Sequence, residues 1–412
     1  MVHADALSDP RAMREAGREW LSLALIDARN RTLRWFAAVE SLGRDAGLRA
    51  MWEGELSPPL WLLGHVGWFQ ERWCARNLQR ARGPAADEQS TRLPSLLRHA
   101  DTWFDPVATP RDARWALPLP DAAATRQYLV DTLEGTLDLL ARSDESDAAL
   151  YMFRLALFHE DAQVDSFAQV AQAFGVDDAQ LAGLWAPARA LAPRDPVAFA
   201  DTRWTLGIAP DAPGFAFDIE RGCLPVQVPA FEIDAQPVTW SQYLEFVEAG
   251  GYDDERWWTA PGWTWVEQTQ RRAPRGVEQM RSGVVARRGA RLLRLAPAQS
   301  VIHVNAYEAE AWCAWAGRRL PTEVEWEVAA HQGGGRGWRW GDIWEWTATR
   351  LRPLPGFVAQ AGCESLEPAF SHHRVLRGAS RATVPRARFP RARHHAAADD
   401  DSGFTGFRSC AL

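Results

Sequence analysis

The sequence contains no lysine, and all 46 of its basic residues are arginines. A chain without lysine has no side-chain amine to form a Schiff base, to hold pyridoxal phosphate or to bind a phosphate in a P-loop. These three kinds of chemistry are therefore excluded.

Cysteine is scarce and dispersed, with five residues and no pair at the CxxC spacing. This pattern argues against a disulfide framework and against a zinc finger. The first residues have no apolar signal core, and no stretch approaches about 18 uninterrupted apolar residues. We therefore expect a soluble protein in the reducing cytoplasm.

Positive charge is not in excess, since the net charge is -7 over 412 residues. A nucleic-acid or anionic-membrane partner favours a clustered basic face. We expect neither partner, and small-molecule substrates instead. Tryptophan, in contrast, is abundant at 22 residues, and indole faces suit recognition of a cationic ligand.

Long segments of helical period with few glycines fill the first half of the chain. Four such segments predict an up-and-down bundle, and they cover residues 18–41, 57–81, 121–143 and 147–175. Ser57, followed by two prolines, is expected to open the second helix, and Gly175 to close the fourth.

Glycine and proline become frequent after an Ala/Pro-rich, aperiodic stretch over residues 185–202, which predicts the linker. We predict an α+β protein of two domains, with a helical bundle over residues 1–190 and a loop-rich domain over residues 202–412. In the second domain we expect a strand and short helix after residue 231, and a helix–turn–helix after residue 305.

Two histidines occupy corresponding places on bundle helices. His65 lies in the apolar string LWLLGHVGWF, and His159 is followed one turn later by Gln163 in LFHEDAQVDSF. Facing helices of a bundle can build a metal site from such side chains. Taken singly, each histidine is equally well explained as a hydrogen-bonded core residue, so spacing leaves both interpretations open.

The neighbours of His159 are not expected to bind the same metal. Glu160 and Asp161 should point away from its face, into solvent or behind the ligands, and Asp165 is poorly placed to share the metal.

Arginine and tryptophan cluster near the C-terminus. Guanidiniums bind carboxylates or sugar hydroxyls and indoles hold quaternary ammonium groups, although stacking of arginine on tryptophan for structure alone explains the same residues. The cluster contains Trp338, Trp340, Trp344, Trp346, Arg374, Arg377, Arg381 and Arg408.

The second half resembles the formylglycine-generating-enzyme fold, a loop-rich relative of C-type lectins. The strings that carry the resemblance are HVNAYEAEAWCAWAGRRLPTEVEWEVAA, GDIWEWTATRLRPLPGFV, RVLRGAS and GFTGFR. The first half resembles a DinB-like four-helix bundle, with LWLLGHVGWFQE and FHEDAQ at its metal-ligand positions. The two together resemble the ergothioneine sulfoxide synthases, and the second half is most similar to their selenoneine synthase branch.

The resemblance implies a non-haem iron(II), O2-dependent oxidoreductase. It would join the imidazole C2 of hercynine (Nα-trimethylhistidine) to a selenosugar, 1-seleno-N-acetylglucosamine, in selenoneine biosynthesis. The alternatives are a synthase that uses cysteine or γ-glutamylcysteine, a non-catalytic betaine-binding homologue, and a DinB-type thiol transferase that needs no O2.

The metal ligands implied by the resemblance are His65, His159 and either Gln163, which stands where the family has a second histidine, or a water molecule. The family also has a tyrosine proton donor in its C-terminal half, but this chain has no tyrosine after Tyr307, so the catalytic acid is unassigned. The resemblance assigns substrate binding to Arg111, Arg114, Trp344, Trp346, Arg377, Arg381, His394, His395, Phe404 and Arg408.

Overall fold

The first half of the protein consists of helices that follow the predicted segments. In the computed structural model, which describes residues 6–40, 56–363 and 365–412, they are α1 (Pro10–Arg14), α2 (Arg18–Glu40), α3 (Pro59–Gln70), α4 (Ala100–Phe104), α5 (Ala122–Ala141) and α6 (Asp147–Phe174). A π-helical turn, Glu71–Ala75, continues α3, and a 3-10 helix spans Arg111–Ala116. Residue 41, at the end of the first predicted segment, lies outside the described residues.

The four long helices α2, α3, α5 and α6 each turn an apolar face towards one shared core. Trp35, Leu63, Leu129 and Phe153, one from each helix, are completely buried in it. Removing such side chains from water is the main stabilising term for the bundle, at roughly 1.5–3 kcal/mol per large apolar side chain.

The helix ends follow the sequence with one exception. Gly175 closes α6 with φ at 76°, as predicted. Ser57 does not cap α3, because Pro58 occupies the cap position and Pro59 has no N–H for a serine to accept. The Ser57 hydroxyl accepts instead from Arg114 Nη1 at 2.7 Å.

The second half contains short strands and short helices joined by long loops. Its helices are α7 (Trp240–Glu248), α8 (Ala260–Thr269), α9 (Ala306–Trp315) and α10 (Glu323–Gln332). Its strands are β1 (Val197–Phe199), β2 (Thr202–Leu206), β3 (Leu224–Val228), β4 (Phe231–Ile233), β5 (Val277–Met280), β6 (Val284–Arg288), β7 (Arg291–Leu295), β8 (Trp344–Arg350), β9 (Arg374–Gly378), β10 (His394–Ala396) and β11 (Thr405–Gly406).

These strands form four small sheets. The largest has the order β10-β9-β8-β11, in which only β11 runs parallel to its neighbour. β5, β6 and β7 form an antiparallel meander, and β1–β4 and β2–β3 are antiparallel pairs. The meander is not predicted from the sequence, because its arginines interrupt the apolar alternation of a strand. The α+β class is confirmed, and the domain boundaries stay a prediction.

The two halves meet along α6. Phe158 stacks on Phe215 with ring centroids 5.1 Å apart, and the buried Arg14 donates two hydrogen bonds to Glu220. Among the described residues no helix is long and apolar enough to cross a membrane.

A carboxyl group lies in the core of the second half. Glu308 on α9 is 1% exposed and accepts from Asn305 N at 2.9 Å and from the hydroxyl of Tyr252. Burial raises the pKa of Glu308 to about 7. The folded state therefore holds this proton at pH values where the unfolded chain releases it.

Because the folded pKa is raised, the contribution of Glu308 to stability is complete below about pH 4.5 and is lost as pH rises towards 7. Glu308→Gln removes the titration and keeps a side chain of the same shape. Its free energy of unfolding relative to the parent should rise by about 2–3 kcal/mol between pH 5 and pH 8. Urea denaturation at both pH values measures this, with the exposed Glu245→Gln as charge control. A difference independent of pH would contradict the assignment.

Candidate metal centre

His65 and His159 face each other inside the bundle. His65 Nε2 lies 3.2 Å from His159 Nε2, and the side-chain nitrogen of Gln163 lies 3.4 Å from the same atom of His159. His65 comes from α3 and the other two from successive turns of α6. The structure therefore brings together the three side chains that the sequence singles out.

A hydrogen bond from the ring nitrogen that faces away from His159 fixes the orientation of His65. Its Nδ1 lies 2.8 Å from the carbonyl oxygen of Phe104, which can only accept, so the proton is on Nδ1 and the lone pair is on Nε2. Gly64 permits this contact, because a Cβ at that position would lie 2.2 Å from the Phe104 ring. A backbone carbonyl behind a histidine is the usual support of a metal ligand.

Both imidazoles are held in the neutral form that a metal requires. Burial lowers the pKa of His65 to about 4. Burial, together with the neighbouring His65, lowers the pKa of His159 well below its ordinary value.

The spacing of the donors fits a bound metal ion. With metal–nitrogen bonds of about 2.0–2.1 Å, two imidazoles on one metal are separated by about 2.9 Å at a right angle and about 3.4 Å at the tetrahedral angle. The observed 3.2 Å lies between these values. Rotation of the Gln163 amide by half a turn points its oxygen at the pair. Within residues 6–40, 56–363 and 365–412 no group of three or more His, Cys, Asp or Glu side chains is arranged to hold a metal. A third protein donor at the histidine pair would therefore be the amide of Gln163.

Aromatic rings enclose the two imidazoles. Phe69 stacks on His159 with centroids 3.5 Å apart, and Trp61 stacks on His65 at 4.8 Å. The guanidinium of Arg114 lies 3.6 Å above the centre of Trp61. These contacts restrict ring rotation and keep water from the ligand side of the pair.

Two buried ion pairs fix the rotation of α6 at His159. Glu160 accepts from Arg29 at 3.0 Å and Asp161 from Arg386 at 2.6 Å, and both carboxylates are 2% exposed. The expectation that Glu160 and Asp161 are solvated is therefore wrong. The prediction follows the helical period alone, and it misses that arginines from two other segments approach this side of α6.

Asp165 connects the bundle to the second half. It accepts from the indole of Trp344 at 2.8 Å and from the hydroxyl of Ser380 at 2.7 Å. His394 packs on Trp344 with centroids 5.1 Å apart. Asp165 is about 9 Å along the helix axis from His159 and about 120° around it, so Trp344 lies on a different face of α6 from the histidine pair.

One tryptophan and two arginines predicted to bind substrate lie inside the second half, away from any surface. Trp346, Arg377 and Arg408 are completely buried, and each already has its partner. The Trp346 indole donates to Val304 O, Arg377 pairs with Glu327, and Arg408 donates two hydrogen bonds to Glu345. Their polar groups hold loops of the second half together and are not available to a substrate.

The remaining predicted residues lie in different parts of the molecule, and Phe404 is buried. Arg111 is exposed on the 3-10 helix, three residues from Arg114. The Nδ1 atom of His395 lies 2.9 Å from the Nδ1 atom of His373. Because successive residues of a strand point to opposite faces, His395 points away from the face on which His394 packs against Trp344. Arg381 stacks on Trp185, and Phe404 packs against the same indole.

Sequence reasoning misses the supports of the site. Phe104 and Phe69 contact the histidines, and Arg29 binds the neighbouring Glu160, through tertiary packing that local sequence does not show. The one available signal is the FQ pair after His65, since Phe69 is one turn from His65 and Gln70 accepts from Arg29 at 2.5 Å.

Comparisons with known proteins place the chain in a family. The DinB superfamily pattern matches residues 24–173, and the pattern described as a sulfatase-modifying factor enzyme 1-like domain matches residues 211–342. The chain is 31% identical to the hercynine oxygenase of Mycolicibacterium thermoresistibile, covering 88% of each protein. The chain belongs to the hercynine oxygenase family.

Two further relatives agree with this relationship. The hercynine oxygenase of Mycobacterium tuberculosis is 32% identical over 89% of this chain and 92% of its own length. A formylglycine-generating enzyme of Streptomyces coelicolor is 33% identical over 31% of this chain and 45% of its own length. The family match therefore extends through both halves of this hercynine oxygenase homologue, and the second relationship concerns part of the chain.

From the three donor side chains we predict how substitutions change the amount of iron that the protein retains. His159→Ala should lower the retention of Fe(II) at least about tenfold, because it removes a direct ligand. Gln163→His should raise retention, because it adds an imidazole beside the pair. Iron content after anaerobic loading and gel filtration measures both, with His372→Ala, an exposed histidine, as control. Equal iron in His159→Ala and His372→Ala would refute the site.

From the ion pairs next to His159 we predict the free energies of unfolding of two further variants. Arg29→Met leaves Glu160 buried without its countercharge, and it should lower the free energy of unfolding by about 3–5 kcal/mol. Arg126→Met removes a more exposed pair with Glu40 and should cost about 1 kcal/mol or less. Urea denaturation compares the two variants, and equal losses would show that the pair at Glu160 does not fix the helix.

Proposed function

We propose that the protein is an iron(II)- and O2-dependent enzyme that joins the imidazole C2 of hercynine to a selenosugar in selenoneine biosynthesis. The observation that carries the proposal is the pair of neutral, buried imidazoles 3.2 Å apart with an amide beside them. Two or three protein ligands on one side leave coordination positions for O2 and substrate. Similarity to curated hercynine oxygenases over 88–89% of the chain supports hercynine as the substrate.

The reaction is balanced by the four-electron reduction of O2. Hercynine C2–H and the selenol Se–H each lose hydrogen as the C–Se bond forms. One oxygen atom leaves as water and the other oxidises selenium to the selenoxide. Iron(II), when bound, supplies the activation of O2.

The residues of this chain then have separate tasks. His65, His159 and Gln163 hold the metal, and Phe69 and Trp61 exclude water from its ligands. Trp344 is half-buried, and its indole face has the chemistry to hold a trimethylammonium group, although it lies on a different face of α6 from the histidine pair. His394 packs on Trp344 and is exposed to solvent.

The environment of Arg114 favours a neutral sugar donor over an amino-acid thiol. Its guanidinium stacks on Trp61, and it donates to Ser57 Oγ at 2.7 Å and to Thr109 O at 3.2 Å. Two of its five N–H donors are therefore used within the protein, which leaves fewer for the carboxylate of cysteine or γ-glutamylcysteine. The resemblance of the second half to the selenoneine synthase branch supports the same choice.

The direct experiment compares donors on one enzyme sample. Anaerobic protein loaded with Fe(II) and hercynine receives either the selenosugar, cysteine or γ-glutamylcysteine, and air is then admitted. We expect the hercynyl-selenosugar product by mass spectrometry, formed only with O2, and at least about tenfold faster than either sulfur product. A His65→Ala, His159→Ala double variant should form none, while His372→Ala should match the parent.

The other outcomes identify the alternatives. Faster turnover with cysteine or γ-glutamylcysteine would assign the protein to the sulfur branch. Calorimetric binding of hercynine with no retained metal and no product would indicate a betaine-binding homologue. Turnover of a thiol without O2 would indicate a DinB-type transferase.

A further inference from the structure

A second cavity lies on the far side of α6 from the histidines. It has a volume of about 390 Å³ and is bounded by the end of α6, the β6–β7 hairpin and the loop around Trp185. Gln172, on its wall, is about 20 Å along the helix axis from His159 and about 140° around it. The cavity is therefore separate from the candidate metal centre.

The walls of this cavity carry excess positive charge, although the chain as a whole is negative. Five arginines and three aspartates line it. Arg291 is paired with Asp177 at 3.0 Å, so this pair is neutral. The other lining residues include four arginines, two of them Arg288 and Arg381, and only two aspartates, Asp178 and Asp342.

Arg288 and Arg381 both line this cavity, and each is half-buried. Burial, and then the charge of Arg381, lower the pKa of Arg288 to about 10. Burial also lowers the pKa of Arg381. Within the described part of the chain, no carboxylate oxygen lies within 4.0 Å of either guanidinium.

Neutral neighbours hold both guanidiniums in place. Arg381 stacks on Trp185 at 3.6 Å, and its Nε is buried without a hydrogen-bond partner among the described residues. Arg288 donates to Arg287 O at 3.0 Å and lies 3.1 Å from the Gln172 amide oxygen, in the orientation in which that oxygen also accepts from His303. The backbone of Arg288 is fixed by Gly175, where a Cβ would lie 2.6 Å from Arg288 O.

We propose that this cavity is a binding site for a small oxyanion, of the phosphate or carboxylate type, held between Arg288 and Arg381. Asp178 and Asp342 lie on the same walls but form no ion pair with either guanidinium. An oxyanion between Arg288 and Arg381 lowers their mutual repulsion and accepts hydrogen bonds that the protein leaves unused. The site needs neither the metal nor hercynine, so it is independent of the proposed reaction.

The test is calorimetric titration of the metal-free full chain, at constant ionic strength in chloride buffer, with inorganic phosphate and separately with citrate. We expect saturable binding at one site. Arg381→Met and Arg288→Met should each raise the dissociation constant at least tenfold. Arg256→Met is the matched control, since Arg256 also stacks on a tryptophan, Trp257, but on the exposed surface; its affinity should equal that of the parent.

A further variant covers the case in which an arginine substitution prevents folding. Ala188→Glu adds a carboxylate from an exposed position on the cavity wall and should abolish binding while leaving both arginines in place. Binding of phosphate indicates a phosphorylated ligand, and binding of citrate alone indicates a carboxylate ligand. Absence of saturable binding by either anion, or binding unchanged in Ala188→Glu, would overturn the proposal.

Discussion

The orientation of α6 depends on two guanidiniums buried against it. Arg29 from α2 binds Glu160, and Arg386 from the second half binds Asp161, so successive residues of one helix turn are held from two directions. Each ion is shielded from water, and leaving either carboxylate unpaired would be costly. Because α6 is held in this orientation, the side chain of His159 points towards His65. The ion pairs thus connect the packing of the two halves to the geometry of the candidate metal centre.

The same helix carries these groups on two faces. His159 and Gln163 look into the bundle, whereas Asp165 and Gln172, seven residues apart, share another face. Asp165 there accepts from Trp344 and Ser380 of the second half, and Gln172 borders the arginine-lined cavity. A rigid helix of 28 residues keeps these groups at fixed separations. A change in the contact between the two halves would therefore move α6 and, with it, the side chains of His159 and Gln163.

The parts of the fold and site that follow from local pattern are predictable from the sequence. The helical period locates all four long helices, and the pairing of His65 with His159 and Gln163 follows from their positions on two of them. The C-terminal arginines are not predictable in this way. Arg377 and Arg408 look identical to binding residues in the sequence, yet each is matched to a buried glutamate 50 and 63 residues earlier in the chain. Glu160 and Asp161 appear solvent-facing for the same reason, since their partners are distant in sequence.

We propose that His65, His159 and Gln163 surround one metal ion. Anomalous diffraction at the iron edge, from crystals of the protein loaded anaerobically with Fe(II), tests this arrangement most directly. We expect one strong peak within about 2.0–2.3 Å of the Nε2 atoms of both histidines, with an oxygen donor from Gln163 or from water completing the site. An iron peak at any other position, or none in crystals that retain iron by chemical analysis, would contradict it.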